Sequence, residues 1–161
     1  MKIISFLNFK GGVGKTTSTH SIAAGLQMKG KKVLVIDMDP QGTLTFFSKG
    51  ERELNGDTRE ILFHEKTIGE AITNGEEFDF IGSNIKLATS ELLLNNGYNK
   101  EQKLKKAIDK MAKDYVYDFI LIDCPPSLSK NVITSSHVLN SSLPYSITVP
   151  IKFSSGRESI I

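Results

Sequence analysis

The residues of this chain best placed to do chemistry are two lysines and two threonines set around a glycine run. Lys10-Gly11-Gly12-Val13-Gly14-Lys15-Thr16-Thr17 follows an apolar run and precedes a helix-like segment. Such a loop holds phosphates. Backbone N–H groups converge on an anion only where no Cβ intervenes, and Gly11, Gly12 and Gly14 supply that freedom. The N-terminus of the following helix adds a partial positive charge, Lys15 a full one, and Thr16 a hydroxyl for Mg²⁺. The usual pattern G-x-x-x-x-G-K-[ST] has glycine where this chain has Phe9, and Lys10 stands as a second lysine ahead of Lys15.

Two further apolar runs end in carboxylates. Val33-Leu34-Val35-Ile36 leads into Asp37-Met38-Asp39-Pro40-Gln41-Gly42, and Phe119-Ile120-Leu121-Ile122 leads into Asp123-Cys124-Pro125-Pro126. In a parallel sheet the carboxyl ends of the strands share one edge, and ligands bind in the crevice there. Lys15, Thr16, Asp37, Asp39 and Asp123 are therefore expected to converge. Carboxylates beside phosphates repel them unless a divalent cation lies between. Mg²⁺ held by phosphate oxygens, Thr16 and water-mediated carboxylates meets that need. One carboxylate is then left to orient or deprotonate an attacking water. The plainer alternative makes all three aspartates strand-end turn residues. Cys124 reads as a small packed residue, and His20, His64 and His137 have no ligand-like spacing.

The elements that must position these groups alternate as strand and helix, which is the pattern of a parallel α/β sheet. Residues 3–7 read as a buried strand, and 15–29 as a helix with Thr19, Ile22, Ala23 and Leu26 on one face, capped by Gly30. Residues 33–36 are a strand covered on both sides. The stretch 42–66 reads as mostly loop with a short helix. Thr67-Ile68-Gly69-Glu70 is a capping box for a short helix ending near Gly75. Strands at 78–82, 119–122 and 146–150 and helices at 86–95, 100–113 and 129–140 complete the reading. With 161 residues, the chain is long enough for one domain, 1–161, with a substantial core.

Composition narrows the classes. Twenty basic residues against 18 acidic, a net of +2, is too balanced to argue for nucleic acid by itself. A single cysteine excludes a disulfide framework and a Cys-rich metal site, and fits a reducing, cytoplasmic compartment. The start, Met1 to Leu7, is interrupted by Asn8 and Lys10 too early for a secretory leader, and no run approaches the ~20 apolar residues of a membrane span. Lys103, Lys106, Lys110 and Lys113 form a basic stripe opposite Leu104 and Met111. It reads either as a weak, salt-sensitive DNA contact or, with Glu101 and Asp109 close by, as an ordinary solvated face.

Taken together, Lys10 to Thr17, Val33 to Gly42 and Ile120 to Ser127 resemble the ParA/MinD-type ATPases with the deviant Walker A form K-G-G-x-G-K-T. Asp-Pro-Gln-Gly and Asp-Cys-Pro-Pro-Ser look more like the ParA (Soj-like) partition branch than MinD. The resemblance implies a P-loop NTPase-like three-layer α/β/α fold with a mostly parallel sheet, and ATP and Mg²⁺ as cofactors. It implies that the loop Lys10–Thr17 binds nucleotide, that Lys15 contacts the β/γ-phosphates and that Thr16 coordinates Mg²⁺. Lys10 would reach across a homodimer to the partner's ATP, a role like that of an arginine finger supplied in trans. Asp39 would position the hydrolytic water, Asp37 would support the Mg²⁺ shell or the loop, and Asp123 would be the Walker B carboxylate. The implied activity is ATP hydrolysis driving a dimerisation switch in plasmid or chromosome partitioning. The implied partners are a ParB-like stimulating protein and non-specific DNA, with no membrane, in the cytoplasm or on the nucleoid.

The chain departs from that family in two places. ParA-type proteins usually continue for about another hundred residues by the same resemblance, and here the sequence given stops at Ile161. It also carries Asn140-Ser141-Ser142-Leu143-Pro144-Tyr145 where the family has a small residue and Asp. The expectation is an intact phosphate half, an exposed sheet edge, and a C-terminal part missing. The competing expectations are a nucleotide-binding fragment without turnover and a MinD-like positioning switch.

Overall fold

The computed structural model describes residues 1–8, 10–94, 100–126 and 146–150, of which 91–94, 100–102 and 146–150 are described by backbone alone. In chain order the elements are β1 (Lys2–Leu7), α1 (Lys15–Met28), β2 (Val33–Asp37), α2 (Thr43–Lys49), α3 (Thr58–Leu62) and α4 (Ile68–Ala71). There follow β3 (Thr73–Asn74), β4 (Asp79–Ile81), α5 (Lys86–Leu94), α6 (Lys100–Met111), β5 (Phe119–Asp123) and β6 (Ser146–Pro150). One sheet runs β3-β4-β2-β5-β1-β6. Its strands are parallel except β3, which pairs antiparallel with β4.

Side chains alternate between two cores, as a pleated strand requires. Ile3, Leu34, Ile36, Ile120 and Ile122 face one layer, where Ile61, Leu104, Ile108 and Met111 cover them. Phe6, Val33, Val35, Phe80 and Leu121 face the other, against Ala23 of α1 and Leu44 of α2. Every residue of β2 is buried. The chain is thus the three-layer α/β/α arrangement read from the sequence, with a mostly parallel sheet.

Several local readings change. The stretch 42–66, read as mostly loop, holds both α2 and α3. Gly42 opens α2 from a left-handed φ of 62°. Asp57 opens α3 with a full capping box: its side chain accepts from the Glu60 N–H, and Glu60 accepts from the Asp57 N–H. The box at Thr67 and Glu70 forms as expected, but its helix stops at Ala71 rather than near Gly75. Thr73 and Asn74 leave it to pair with β4, and the Gly75 N–H donates to Phe78 O at 3.2 Å to close the turn. Ile22, placed on the inner face of α1, is 41% exposed, and Lys15, Thr19 and Ala23 carry the buried stripe instead. Thr19 is tolerated there because its hydroxyl donates back to Lys15 O at 2.9 Å. The helix expected at 129–140 lies outside the described residues.

Candidate functional site

Three adjacent strands deliver the site. β5 lies between β2 and β1, and Asp123 is the register partner of both Asp37 on β2 and Phe6 on β1. Alternation puts Asp37 and Asp123 on the sheet face that carries Val33, Val35 and Leu121, the face covered by α1 and α2. The glycine loop leaves β1 and enters α1 on that same side.

The loop is shaped by backbone rather than by side chains. Gly12 and Gly14 have φ of 69° and 80°, a region that a Cβ disfavours by about 1–2 kcal/mol. A Cβ added at Gly11 or Gly12 would meet nothing within 4 Å, so the loop borders open space. Gly14 caps α1 with no side chain, and the first helical bond runs from the Ser18 N–H to Gly14 O. The amides of Lys15, Thr16 and Thr17 precede that bond and form the open, positive end of a 14-residue helix. Lys15 is only 6% exposed. Thr16, Val13 and Gly14 are half-buried, and Lys10, Gly11 and Thr17 are exposed. The Lys10 N–H donates to Asn8 Oδ1 at 2.9 Å, which fixes the start of the loop.

The three aspartates stand in different environments. Asp37 is fully buried. Its Oδ2 accepts from the Thr45 N–H at 3.0 Å and the Thr45 hydroxyl at 2.7 Å, and its Oδ1 from the Asp39 N–H at 3.0 Å. Burial raises its pKa above the ordinary value, and the bonds from Thr45 and Asp39 oppose the shift. Asp39 is half-buried; its Oδ1 accepts from the Gln41 N–H at 2.9 Å. Asp123 is 1% exposed, and neither of its carboxylate oxygens has a hydrogen-bond partner. Desolvation pushes it up to about 7. The nearby Thr16 side chain pulls it down without ordinary hydrogen-bond geometry, the charges of Asp37 and Asp39 raise it, and Lys15 lowers it. Register sets Asp37 beside Asp123, the Asp39 N–H is bound to Asp37, and Lys15 and Thr16 lie close enough to bear on Asp123, so the five residues share one edge of the sheet.

A buried carboxylate with two idle oxygens, beside a hydroxyl and below an open helix end, has the donor chemistry of a cation site. Among the described residues no three Asp, Glu, His or Cys side chains cluster to hold a metal by themselves. A cation here would need oxygen from phosphate and water to complete its shell, as Mg²⁺ commonly does. Cys124 is buried beside this site and its thiol is pushed up, first by burial and then by Asp123, which leaves it unreactive.

Sequence reasoning overlooked Thr45. It is one of two threonines in Thr43-Leu44-Thr45, and nothing local separates the one facing Asp37 from the other. The basic stripe on α6 is partly taken up by packing. Lys103 Nζ donates to Leu62 O at 3.0 Å and lies 5.6 Å from the Phe63 ring centre, and Lys105, outside the stripe, pairs with Asp109 at 2.7 Å. Lys106 and Lys110 border a cleft of about 780 Å³ that they share with Glu65, Glu70 and Asp114. No helix among the described residues is long and apolar enough to cross a membrane.

Known proteins resemble this chain along most of its length. A family model described as an AAA domain, AAA_31, matches residues 1–155. The chain is 38% identical over 141 residues to the sporulation initiation inhibitor protein Soj of Bacillus subtilis, covering 84% of this chain and 55% of Soj. Among solved structures it is similar to cobyrinic acid a,c-diamide synthase from Mycobacterium smegmatis with bound ATP analog and magnesium. The TM-score is 0.76 at 34% identity, covering 86% of this chain and 57% of that one. It is also similar to a plasmid partition protein from Borrelia burgdorferi, with a TM-score of 0.70 at 34% identity, covering 83% and 61%. The chain spans about half the length of the curated relatives it matches.

Proposed function

The chain belongs to the AAA_31 family of AAA domains, of the ParA and Soj type, and on that premise we propose that it binds and hydrolyses ATP with Mg²⁺ as a nucleotide-dependent dimerisation switch. The observation that carries the reading is Asp123, buried with both oxygens unpartnered beside Lys15 and Thr16. The amides of residues 11–16 bind the phosphates, and Lys15 neutralises the β/γ-phosphate charge. Thr16 would offer its hydroxyl to the metal, and Asp123 would accept from the metal's water ligands. Mg²⁺, when bound, shields the phosphate charge that the three carboxylates would otherwise repel. Asp37 supports that arrangement from behind, because its oxygens already hold Thr45 and Asp39. Asp39 orients the attacking water.

Lys10, exposed at the mouth of the loop, completes the site of a second copy. ATP then favours the homodimer and slow hydrolysis releases it, which would time the movement of DNA or cargo. A ParB-like partner would stimulate the hydrolysis, and DNA contact would be non-specific. That role belongs to plasmid or chromosome partitioning, in the cytoplasm or on the nucleoid.

The test measures ATP hydrolysis and ATP-dependent dimerisation of the chain and of Lys15→Ala. Loss of both in the variant is expected. Equal nucleotide binding by the two proteins would overturn the site. Binding without turnover, unchanged by Asp39→Ala, would reduce the chain to a nucleotide-binding module.

A further inference from the structure

We propose that Thr45 is a positioning residue of the hydrolytic site, acting through its hydroxyl to hold Asp37 and, through Asp37, the Asp39 loop. The proposal rests on the reading that Asp39 orients the attacking water. Thr45 Oγ1 makes two buried bonds. It accepts from the Ser83 N–H at 2.8 Å and donates to Asp37 Oδ2 at 2.7 Å. The amide of Ser83 can only donate and an ionised carboxylate can only accept, so the direction of the hydroxyl proton is fixed by its neighbours. The Thr45 amide donates to the same Asp37 oxygen at 3.0 Å. The other oxygen, Oδ1, takes the Asp39 N–H at 3.0 Å. A continuous path of hydrogen bonds thus runs from the end of β4, through the first turn of α2, to the residue assigned to the water.

The surroundings leave this path little slack. The Thr58 hydroxyl donates to Asp37 O at 2.6 Å, and the Thr58 N–H donates to Gly82 O at 2.8 Å. A Cβ on Gly42 would lie 2.8 Å from Ser83 O, so α2 already sits hard against the β4 end. Removing the hydroxyl leaves a buried N–H on Ser83 without its acceptor and takes one of two donors from Asp37 Oδ2. Buried groups stripped in this way relax toward other partners. The Asp37 carboxylate then keeps only the Thr45 N–H on Oδ2 and the Asp39 N–H on Oδ1, so its hold on Asp39 is weakened.

The experiment compares the full chain with Thr45→Val, Thr45→Ser and Thr45→Ala. The first readout is amide hydrogen exchange at Asp39 without nucleotide or metal, with Val35 in the centre of β2 as reference. The second is steady-state ATP turnover, resolved into kcat and KM. Val should speed Asp39 exchange by about tenfold or more while Val35 is unchanged, since the effect is a local opening. It should lower kcat by a similar factor with KM held within about twofold. Ser should restore both. Val that shifts neither, and only lowers the denaturation midpoint, would overturn the proposal. If Val does not fold, Ser and Ala decide, because both lack the methyl and differ in the hydroxyl; equal behaviour overturns it. If the wild-type chain hydrolyses no ATP, the exchange readout still tests the Thr45 linkage, and it is the ATPase reading that fails.

Discussion

Asp37 and Asp123 are register partners across the β2–β5 pairing, yet the Asp37 carboxylate receives three hydrogen bonds and the Asp123 carboxylate receives none. The difference divides their work. Asp37 is an anchor whose lone pairs are committed to the protein, whereas Asp123 keeps both oxygens for something the protein does not supply.

That idle carboxylate should show in stability. Burial sets Asp123 at about 7 in the fold, against an ordinary 3.8. In the ligand-free chain the folded state therefore holds this proton more tightly than the unfolded state. The stabilising effect of the neutral acid is complete below about pH 4 and is lost as pH rises through about 7. Asp123→Asn does not titrate, so it should be more stable than wild type at about pH 8, by an amount on the order of a few kcal/mol. The advantage should shrink as pH falls toward 4. Urea unfolding of both proteins across this range measures it, and a difference independent of pH would refute the assignment.

Lys10 and Lys15 should separate cleanly. Lys10 is exposed and Lys15 is buried in the cradle. Lys10→Ala should bind a fluorescent ATP analogue within about twofold of wild type but lose about tenfold or more in turnover, as expected of a charge supplied in trans. Mixing Lys10→Ala with Asp39→Ala should recover part of the activity through mixed dimers. No recovery at any ratio would place Lys10 in its own chain's site.

Two glycines with similar φ should respond differently to alanine. Gly12 has φ of 69° with open space around it, while Gly42 has φ of 62° with Ser83 O in the path of a Cβ. Gly12→Ala should cost about 1 kcal/mol from backbone strain alone. Gly42→Ala adds a clash with backbone and should exceed about 2 kcal/mol. Chemical denaturation of the pair would contradict this if the costs were equal.

The α3 cap offers a control away from the site. Asp57 accepts from the Glu60 N–H and also from Asn84 Nδ2. Asp57→Ala should lower stability by about 1–2 kcal/mol, with nucleotide affinity unchanged. A large loss of affinity would mean that α3 reaches the phosphate site.

Much of this architecture was legible because the site residues terminate apolar runs. Val33–Ile36 and Phe119–Ile122 identify themselves as buried strands, so Asp37 and Asp123 had to lie at their ends. The phosphate loop declares itself by composition. What could not be read is set by pairing across distance. Thr45 meets Ser83 across 38 positions, and Thr73-Asn74 becomes a strand only because β4 offers it an edge. Ile22 misled because periodicity describes a helix face and not whether a neighbour covers it. Within 42–66 one short helix is expected where there are two: α2 starts from a left-handed glycine, which hydrophobic spacing does not show, while the Asp57–Glu60 cap of α3 is written in the sequence as plainly as the one at Thr67.

β2 and β5 are also pinned at their opposite ends. The Lys32 N–H donates to Asp118 Oδ2 at 2.9 Å, and the Asp118 N–H donates to Lys32 O at 2.9 Å. With the Met38 N–H bound to Asp123 O at 2.9 Å, the two strands form a ruler of fixed length. A one-residue deletion inside either strand would turn its aspartate to the other face of the sheet. A two-residue deletion would keep the face but displace the carboxylate by ~6.6 Å, too far to share a ligand with its neighbour. The count of residues between the clamps is therefore fixed by the site as firmly as the identity of the two aspartates.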